Sequence, residues 1–252
     1  MTRLLWGLLA LSLSACPRSE EDKPQLPPRD GPLGARRCSA EPGRKNPRKP
    51  VFSRPFQGEY PVYNLFDHQT PGEFKPFEAG NAEQAYCGID MLGLTEGYEG
   101  YAWGLPNGTP VSSVADGEVI HAGLDDEFFC VLPEFRRAVS DQQSVHVKHE
   151  GLAGMGFITI YQHLSRVDVK VGDRVAEGQK LGLSGRSGCA TEPVFYFGVL
   201  RIMGTKTGKP TSFDPYGWDG PRPDPWAEKP KGTQSFYLWK DGQAPKLGGR
   251  LK

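Results

Sequence analysis

The sequence predicts an all-β domain, an antiparallel β-sandwich or open barrel, within a chain of 252 residues. Three observations support this prediction. Short runs of alternating apolar and polar residues recur between about residues 84 and 202. Glycine-rich turns separate these runs. No segment carries an apolar stripe at helical spacing over three turns, so the predicted core is built from strands.

The predicted strands follow one another closely along the chain. An extended run from Thr109 to Ala115 ends at Asp116-Gly117, and another run begins at Glu118. An Asp-Gly step between two extended runs predicts a β-hairpin. Five further strands are predicted, at Ser144 to His149, Phe157 to Tyr161, Val169 to Val175, Ala176 to Leu181 and Phe195 to Ile202.

An insertion at residues 125–143 interrupts the regular spacing of the strands. Insertions of this length inside a compact domain are usually functional or are ordered by a specific contact. Phe128 and Phe129 are therefore candidates to line a groove. The alternative is that they pack down onto the domain, with Cys130 as a covalent staple.

The first fifteen residues are typical of a secretory signal sequence. Arg3 is followed by an apolar run from Leu4 to Ser14, which is too short to span a bilayer as a helix. Because small residues precede Cys16, the segment resembles a bacterial lipoprotein signal, which implies cleavage before Cys16 and lipidation there. We expect an exported protein that is anchored to a membrane and faces the periplasm or the cell wall. A plain signal peptide is the alternative.

Composition divides the rest of the chain into a tether at residues 16–55 and a domain at residues 56–252. The tether is rich in proline and charge and has too little apolar surface to fold alone. Within the domain we predict a core at 84–202, with the insertion at 125–143, and a C-terminal extension at 203–252. The formal net charge is zero, and no basic face interleaved with aromatics is present, which argues against nucleic-acid binding.

Four cysteines besides Cys16 are expected to form two disulfides in an exported protein. Four cysteines allow three pairings, and sequence alone does not choose among them. We favour Cys130 with Cys189 and Cys38 with Cys87.

Six sequence signals follow one another along the chain. They are YCGID at 86–90, GTPV at 108–111 with ADGEV at 115–119, KHEG at 148–151, YQHL at 161–164, VGDRV at 171–175 with Gly178-Gln179, and GLSGRSG at 182–188. Their order resembles the LytM/lysostaphin family of zinc endopeptidases. In that family the metal and catalytic residues lie in H-x-G-x-D and P-H-L-H-F-E stretches, which correspond here to YCGID and to PVFYFG at 193–198.

The resemblance implies three zinc ligands and two catalytic histidines. Carried over residue by residue, the ligand positions fall on Tyr86, Asp90 and Tyr196, of which only Asp90 keeps a ligand of the family. The catalytic positions fall on His163, which is retained, and on Val194, where the histidine is lost. Tyr161 and Ser187 are expected to line the groove beside them.

These replacements favour a protein that no longer hydrolyses peptides. A tyrosine ligates zinc as phenolate, and with a pKa of about 10 each such ligand costs about 4 kcal/mol at pH 7. Valine cannot transfer protons. No cofactor is therefore favoured, and Zn²⁺ is expected only if the protein is active. The remaining histidines, His68, His121, His146 and His149, are expected at the surface or in turns.

The resemblance therefore implies a degenerate member of the family that binds peptidoglycan or regulates a cell-wall amidase. An active zinc endopeptidase that cleaves peptidoglycan cross-links is the first alternative, with tyrosine ligands or with a different alignment of the site. A structural lipoprotein that tethers the envelope to the wall is the second alternative.

Overall fold

The computed structural model describes residues 49–66, 68, 98–125, 129–132, 135–139, 141–152, 154–190, 192–218 and 224–247, with the backbone path alone at 129–132 and 135–139. Within these residues the chain forms thirteen strands and one helix of four residues. The predicted all-β antiparallel fold is confirmed. The predicted signal sequence and Cys16 lie outside the described residues. In the described part, no helix has the length and apolarity needed to cross a membrane.

The elements, in chain order, are β1 (Val62–Asn64), β2 (Tyr101–Trp103), β3 (Pro110–Ser112), β4 (Gly117–Leu124), β5 (Phe129–Leu132), β6 (Phe135–Val139), β7 (Gln143–Leu152), β8 (Met155–Gln162), β9 (Leu164–Val167), β10 (Arg174–Val175), β11 (Lys180–Ser184), β12 (Phe195–Arg201), β13 (Thr211–Ser212) and α1 (Pro225–Glu228). The main sheet has eight strands in the order β1-β2-β12-β8-β7-β4-β10, and β13 pairs with β12. A second sheet has the order β3-β11-β9. The insertion folds as a separate hairpin of β5 and β6.

Side-chain alternation along the central strands gives the main sheet a buried face. On β12, Phe195 and Phe197 are fully buried, whereas Tyr196 between them is half-buried on the opposite face. The buried face of neighbouring β2 adds Tyr101 and Trp103, which are also fully buried. Because successive side chains of a strand point to opposite faces, burial of these aromatic rings determines which residues reach the other face.

The hairpin predicted at Asp116-Gly117 is wrong. The strands on either side lie in different sheets, since β3 pairs with β11, and β4 pairs with β7 and β10. The Asp116 side chain accepts a hydrogen bond from the Glu177 amide at 2.8 Å, which holds the chain as a corner. Gly117 packs so closely on β7 that a methyl group in place of its hydrogen would lie 2.6 Å from the Lys148 carbonyl oxygen. The Asp-Gly step thus marks a passage between sheets.

The domain begins before residue 56, so the predicted end of the tether at residue 55 is too late. Phe52 is fully buried and forms a β-bridge with Trp239. The amides of Val51 and Phe52 both donate to the Leu238 carbonyl oxygen at 2.8 Å. Leu238 and Trp239 are themselves fully buried, so the predicted C-terminal extension also belongs to the common core. Segments from both sides of the predicted core complete it.

Two of the histidines expected at the surface are buried. His68 is 3% exposed, and His149 has no exposed surface. The Nδ1 of His149 lies 2.8 Å from the carbonyl oxygen of Asp116 and therefore carries a proton, while its Nε2 lies 2.8 Å from the Thr159 hydroxyl. Burial lowers the pKa of His149. A neutral imidazole thus connects the corner at Asp116 to strand β8.

The burial of Phe52 predicts a large loss of stability on truncation. Phe52→Ala should lower the free energy of unfolding by about 3–5 kcal/mol, because the ring packs edge-on against both Phe157 and Trp239. Chemical denaturation measures this change. Ile120→Ala is the control, since Ile120 is 39% exposed and its truncation should change stability by about 0.5 kcal/mol or less. A loss below about 1 kcal/mol for Phe52→Ala would place the segment outside the core.

The neutral state of His149 predicts a loss of stability in acid. Its pKa is lower in the folded protein than in the unfolded chain, so below about pH 6.5 the unfolded chain takes up the proton first and unfolding is favoured. Urea midpoints at pH 6.5 and pH 5 should fall less in His149→Asn than in the unmodified protein. Equal falls in the two proteins would contradict a buried neutral His149.

Candidate functional site

The exposed side of β12 carries the two histidine positions predicted from the resemblance. Val194 lies just before the strand, where its amide donates to the Gly185 carbonyl oxygen at 3.0 Å. Tyr196 follows two residues later and is paired with Ala102 of β2 on one side and Gln162 of β8 on the other. Residues two apart on a strand share a face, so Val194 and Tyr196 point to the same side of the sheet.

The Tyr196 side chain is held in place by the backbone around it. Its hydroxyl donates to the Glu99 carbonyl oxygen at 3.0 Å. Its ring lies over two glycines, because a methyl group placed on Gly100 or on Gly198 would come within 2.6 Å of Tyr196 atoms. Gly198 stands where the family stretch has glutamate. The glycines thus make the room that the larger phenol ring needs.

Tyr98 is the second aromatic residue of this site, and sequence reasoning missed it. The rings of Tyr98 and Tyr196 meet edge-to-face with centroids 5.7 Å apart. Burial raises the pKa of Tyr98 to about 12, although a hydrogen bond from Asn64 opposes this rise. The pKa of Tyr196 is raised further by burial and by the neighbouring Tyr98 and Glu99. Both phenols are therefore neutral near pH 7.

A repeated spacing in the sequence could have identified Tyr98. The stretch Tyr98-Glu99-Gly100 repeats the tyrosine and glycine of Tyr86-Cys87-Gly88. Tyr86 and Asp90 lie outside the described residues, so their assignment as ligand positions stays a prediction. The structure brings Tyr98, not Tyr86, into observed contact with Tyr196.

His163, which the resemblance predicts to be a retained catalytic histidine, adopts a left-handed backbone conformation with φ of 63°. Left-handed backbone is uncommon for a residue with a side chain and is found where surrounding structure enforces it. Its Nδ1 lies 2.8 Å from the Ser187 carbonyl oxygen, so this nitrogen carries the proton of a neutral ring. Burial lowers the pKa of His163, which keeps the ring neutral. The Nε2 is left with its lone pair.

The residues predicted to line a groove occupy different places in the structure. Ser187 helps to fix the glycine loop, since its hydroxyl accepts a hydrogen bond from the Gln143 amide at 3.0 Å. Tyr161 does not line a groove, because it is fully buried on the core face of β8 and its hydroxyl accepts a hydrogen bond from the Val114 amide. The Phe128 and Phe129 side chains lie outside those described, and their role stays a prediction.

A histidine pair lies on the same face of the main sheet as Tyr196. His121 and His146 are directly opposite each other on β4 and β7, with ring centroids 4.8 Å apart. The Nε2 of His121 lies 3.0 Å from an Asp125 carboxylate oxygen but makes no well-aligned hydrogen bond. The Asp125 carboxylate also accepts hydrogen bonds from Gln142 and Ser144. This cluster stands on the side of the site where the β5–β6 insertion leaves and rejoins the sheet.

The described side chains do not fit a zinc site. Zinc binds deprotonated oxygen, nitrogen or sulfur donors in a converging set. Tyr196 keeps its proton and donates it to a carbonyl oxygen, and Val194 has no donor atom. Among the residues that the structure describes, no group of three or more His, Cys, Asp or Glu side chains is arranged to hold a metal ion.

One predicted disulfide cysteine is described beside this site. Cys189 follows the glycine loop that carries Ser187, and it is disulfide-bonded. The side chains of the other cysteines lie outside the described part of the chain, so the predicted pairing stays a prediction.

Comparison with known proteins assigns the part of the chain that contains these strands. Residues 96–212 match peptidase family M23. The cell division protein DipM of Caulobacter vibrioides is 36% identical over 110 residues, which cover 44% of this chain and 15% of DipM. The peptidoglycan DD-endopeptidase ShyA of Vibrio cholerae is 30% identical over 103 residues, which cover 41% of this chain and 20% of ShyA. The chain thus spans at most a fifth of either relative.

The chain is also similar to a solved structure. The antimicrobial peptidase lysostaphin from Staphylococcus simulans is 27% identical, with 41% of this chain and 37% of that chain covered and a TM-score of 0.33. Together with the ordered motifs and the antiparallel sheets, the family match identifies residues 96–212 as a domain of peptidase family M23, the LytM/lysostaphin family.

Proposed function

We propose that this chain is a non-catalytic M23 protein that is exported, anchored through Cys16 and binds peptidoglycan through the surface around Tyr196 and His163. The observation that carries the proposal is the Tyr196 side chain, which points at the backbone of Glu99 and fills the space above two glycines. A phenol in this arrangement neither ligates a metal nor activates water.

The position of Tyr98 and Ala102 supports loss of the whole ligand set. In the family stretch H-x-G-x-D, histidine and aspartate stand four residues apart, and here Tyr98 and Ala102 stand four apart around Gly100. Ala102 is paired with Tyr196 across the sheet, which is where a second ligand must lie to share a metal with residue 196. This stretch lies within the matched residues 96–212, whereas Tyr86 to Asp90 precedes them.

We therefore propose that the ligand positions are Tyr98, Ala102 and Tyr196, in place of the set that includes Tyr86 and Asp90. On this alignment no described ligand position keeps a metal-binding group, since alanine offers only a methyl group. The earlier alignment keeps one carboxylate, Asp90. The two alignments make different predictions for repair.

Retention of His163 supports binding rather than an inert scaffold. The left-handed backbone and the Ser187 carbonyl oxygen hold the ring in one tautomer, with Nε2 available to accept a hydrogen bond. Such geometry costs backbone free energy, on the order of 1–3 kcal/mol, that a purely structural histidine would not need. An amide N–H of a peptide is the simplest donor for this nitrogen.

The nature of the ligand rests on the family. M23 relatives include a protein named as a peptidoglycan DD-endopeptidase and one named as a cell division protein. A site that has lost its metal ligands and one of its two catalytic histidines, and has kept its surroundings, is expected to bind the same peptide chemistry. Regulation of a cell-wall amidase remains a prediction that would follow from such binding.

Binding to cell-wall material is the first test. Soluble protein that begins after Cys16 should be retained on purified sacculi at moderate salt without releasing soluble fragments. His163→Ala should lower retention by about 3–10-fold, the effect of one lost hydrogen bond. Met203→Ala is the matched control, since Met203 is 51% exposed and lies beyond the end of β12. Metal-dependent release of fragments would instead establish the active endopeptidase, and absence of retention would exclude binding.

Repair of the metal site tests the alignment. The variant Tyr98→His/Ala102→Asp/Val194→His/Tyr196→His should bind about one zinc per chain, measured by calorimetry and metal analysis after dialysis. Tyr86→His/Val194→His/Tyr196→His should not bind zinc if the proposed positions are correct. Zinc uptake by the second variant alone would restore the alignment on Asp90. Circular dichroism confirms that both variants are folded.

A further inference from the structure

His68 lies between two buried aspartates that come from separate parts of the C-terminal segment. Its Nδ1 is 2.7 Å from an Asp224 carboxylate oxygen, and its Nε2 is 2.9 Å from an Asp214 carboxylate oxygen. The histidine side chain is 2% exposed, and neither aspartate side chain is exposed. His68, Asp214 and Asp224 all lie outside residues 96–212, the part of the chain that matches the family.

The hydrogen bonds around the aspartates show that both carboxylates act as acceptors. Asp214 Oδ1 accepts from the Tyr101 hydroxyl at 2.7 Å and from the Tyr216 amide at 2.8 Å. Asp224 Oδ1 accepts from the Trp226 amide at 2.9 Å, as the N-cap of α1, and Oδ2 accepts from the Ser235 amide at 3.1 Å. Ionised carboxylates facing both ring nitrogens require a doubly protonated imidazole, because each nitrogen must donate.

This ion cluster connects parts of the chain that are remote in sequence. His68 follows β1, whereas Asp214, which follows β13, and Asp224, the N-cap of α1, lie 146 and 156 residues further along the chain. The Tyr101 hydroxyl joins the cluster from β2. The ring of His68 also packs against Phe66, at a centroid distance of 4.9 Å, and against Trp218 at 5.0 Å.

We propose that His68, clamped between Asp214 and Asp224, is an ionic latch that holds the 62–68 segment on the C-terminal segment, and that loss of its charge opens this segment locally. The proposal is independent of the proposed function. Burying a carboxylate without a counter-charge is costly, so the neutral imidazole would leave two buried anions with one donor between them. The segment that yields is the 62–68 segment, because its strand β1 has three residues, lies at the edge of the main sheet and pairs with β2 alone.

Opening of this segment would change the edge of the sheet beside Tyr98 and Tyr196. Strand β1 is the edge strand, and it pairs Asn64 with Ala102 of β2. Release of β1 would therefore leave β2 with an unpaired edge, the kind of edge to which an extended peptide adds as a strand.

The neighbouring aspartates determine the pH at which His68 loses its charge. The hydrogen bonds and charges of Asp214 and Asp224 raise the pKa of His68 to about 9, against an opposing effect of burial. Because this pKa lies above the unfolded value, the stabilisation is complete below about pH 6.5 and disappears as the pH rises through about 9. Lys229, the C-cap residue of α1, places its ammonium 4.8 Å from the centre of the Trp226 ring.

Two measurements on the unmodified protein test the latch. Nitrogen NMR of the His68 ring should show both nitrogens protonated at pH 7, with a titration midpoint near pH 9. Amide hydrogen exchange at 62–66, compared between pH 8 and pH 10 after correction for the intrinsic rate, should increase about tenfold. Amides of β7 and β8 should keep their protection. A neutral His68 ring at pH 7 would overturn the proposal.

Two variants test whether the charge on His68 is responsible for the protection of residues 62–66. His68→Gln, which cannot become a cation and can donate through one amide group only, should show the faster exchange at 62–66 already at pH 7 and no further increase by pH 10. Asp168→Asn is the control, because it removes an exposed carboxylate paired with Arg166 and Lys180. It should behave as the unmodified protein. Unchanged exchange in His68→Gln, or loss of protection throughout the sheets, would contradict a local latch.

Discussion

Burial of the aromatic face of β12 is the constraint on which the rest of the structure depends. Phe195 and Phe197 are fully buried and pack with Trp103, Tyr161 and Trp239. Since side chains alternate along a strand, this burial directs position 196 to the opposite face. The packing of the core thus determines which way the side chains of the candidate site point. Those side chains can change without disturbing the core, because they lie on the opposite face of the sheet.

The Tyr196 side chain illustrates how residues on this face can vary while the core stays the same. A phenol at position 196 needs more depth than an imidazole, and the absence of side chains at Gly100 and Gly198 supplies the space. Its hydroxyl finds a partner in the Glu99 carbonyl oxygen, so no buried polar atom of this side chain is left unpaired. The candidate site is therefore well packed around Tyr196, whose hydroxyl uses its proton in this hydrogen bond.

Segments outside the matched residues contribute much of the support for this domain. Phe52 enters the core from the N-terminal side, and Trp239 meets it from the C-terminal side. His68 connects these sides at a second point through Asp214 and Asp224. A hydrophobic contact and an ionic contact thus act on the same two segments, and only the ionic contact depends on pH.

The sequence by itself determined the fold class and the central strands, because alternation at β7, β8 and β12 and ordered motifs are local properties. It also predicted that residues 194 and 196 are altered positions of the family site. Only the tertiary structure decided that the Asp116-Gly117 step joins two sheets, since a glycine is required equally by a tight hairpin turn and by close packing on a neighbouring strand. Likewise, the contact of Tyr98 with Tyr196 depends on the pairing of β2 with β12, and the burial of Phe52, His68 and His149 depends on partners far away in the chain. Pairing between distant segments is a property of the packed core, which no local pattern of residues records.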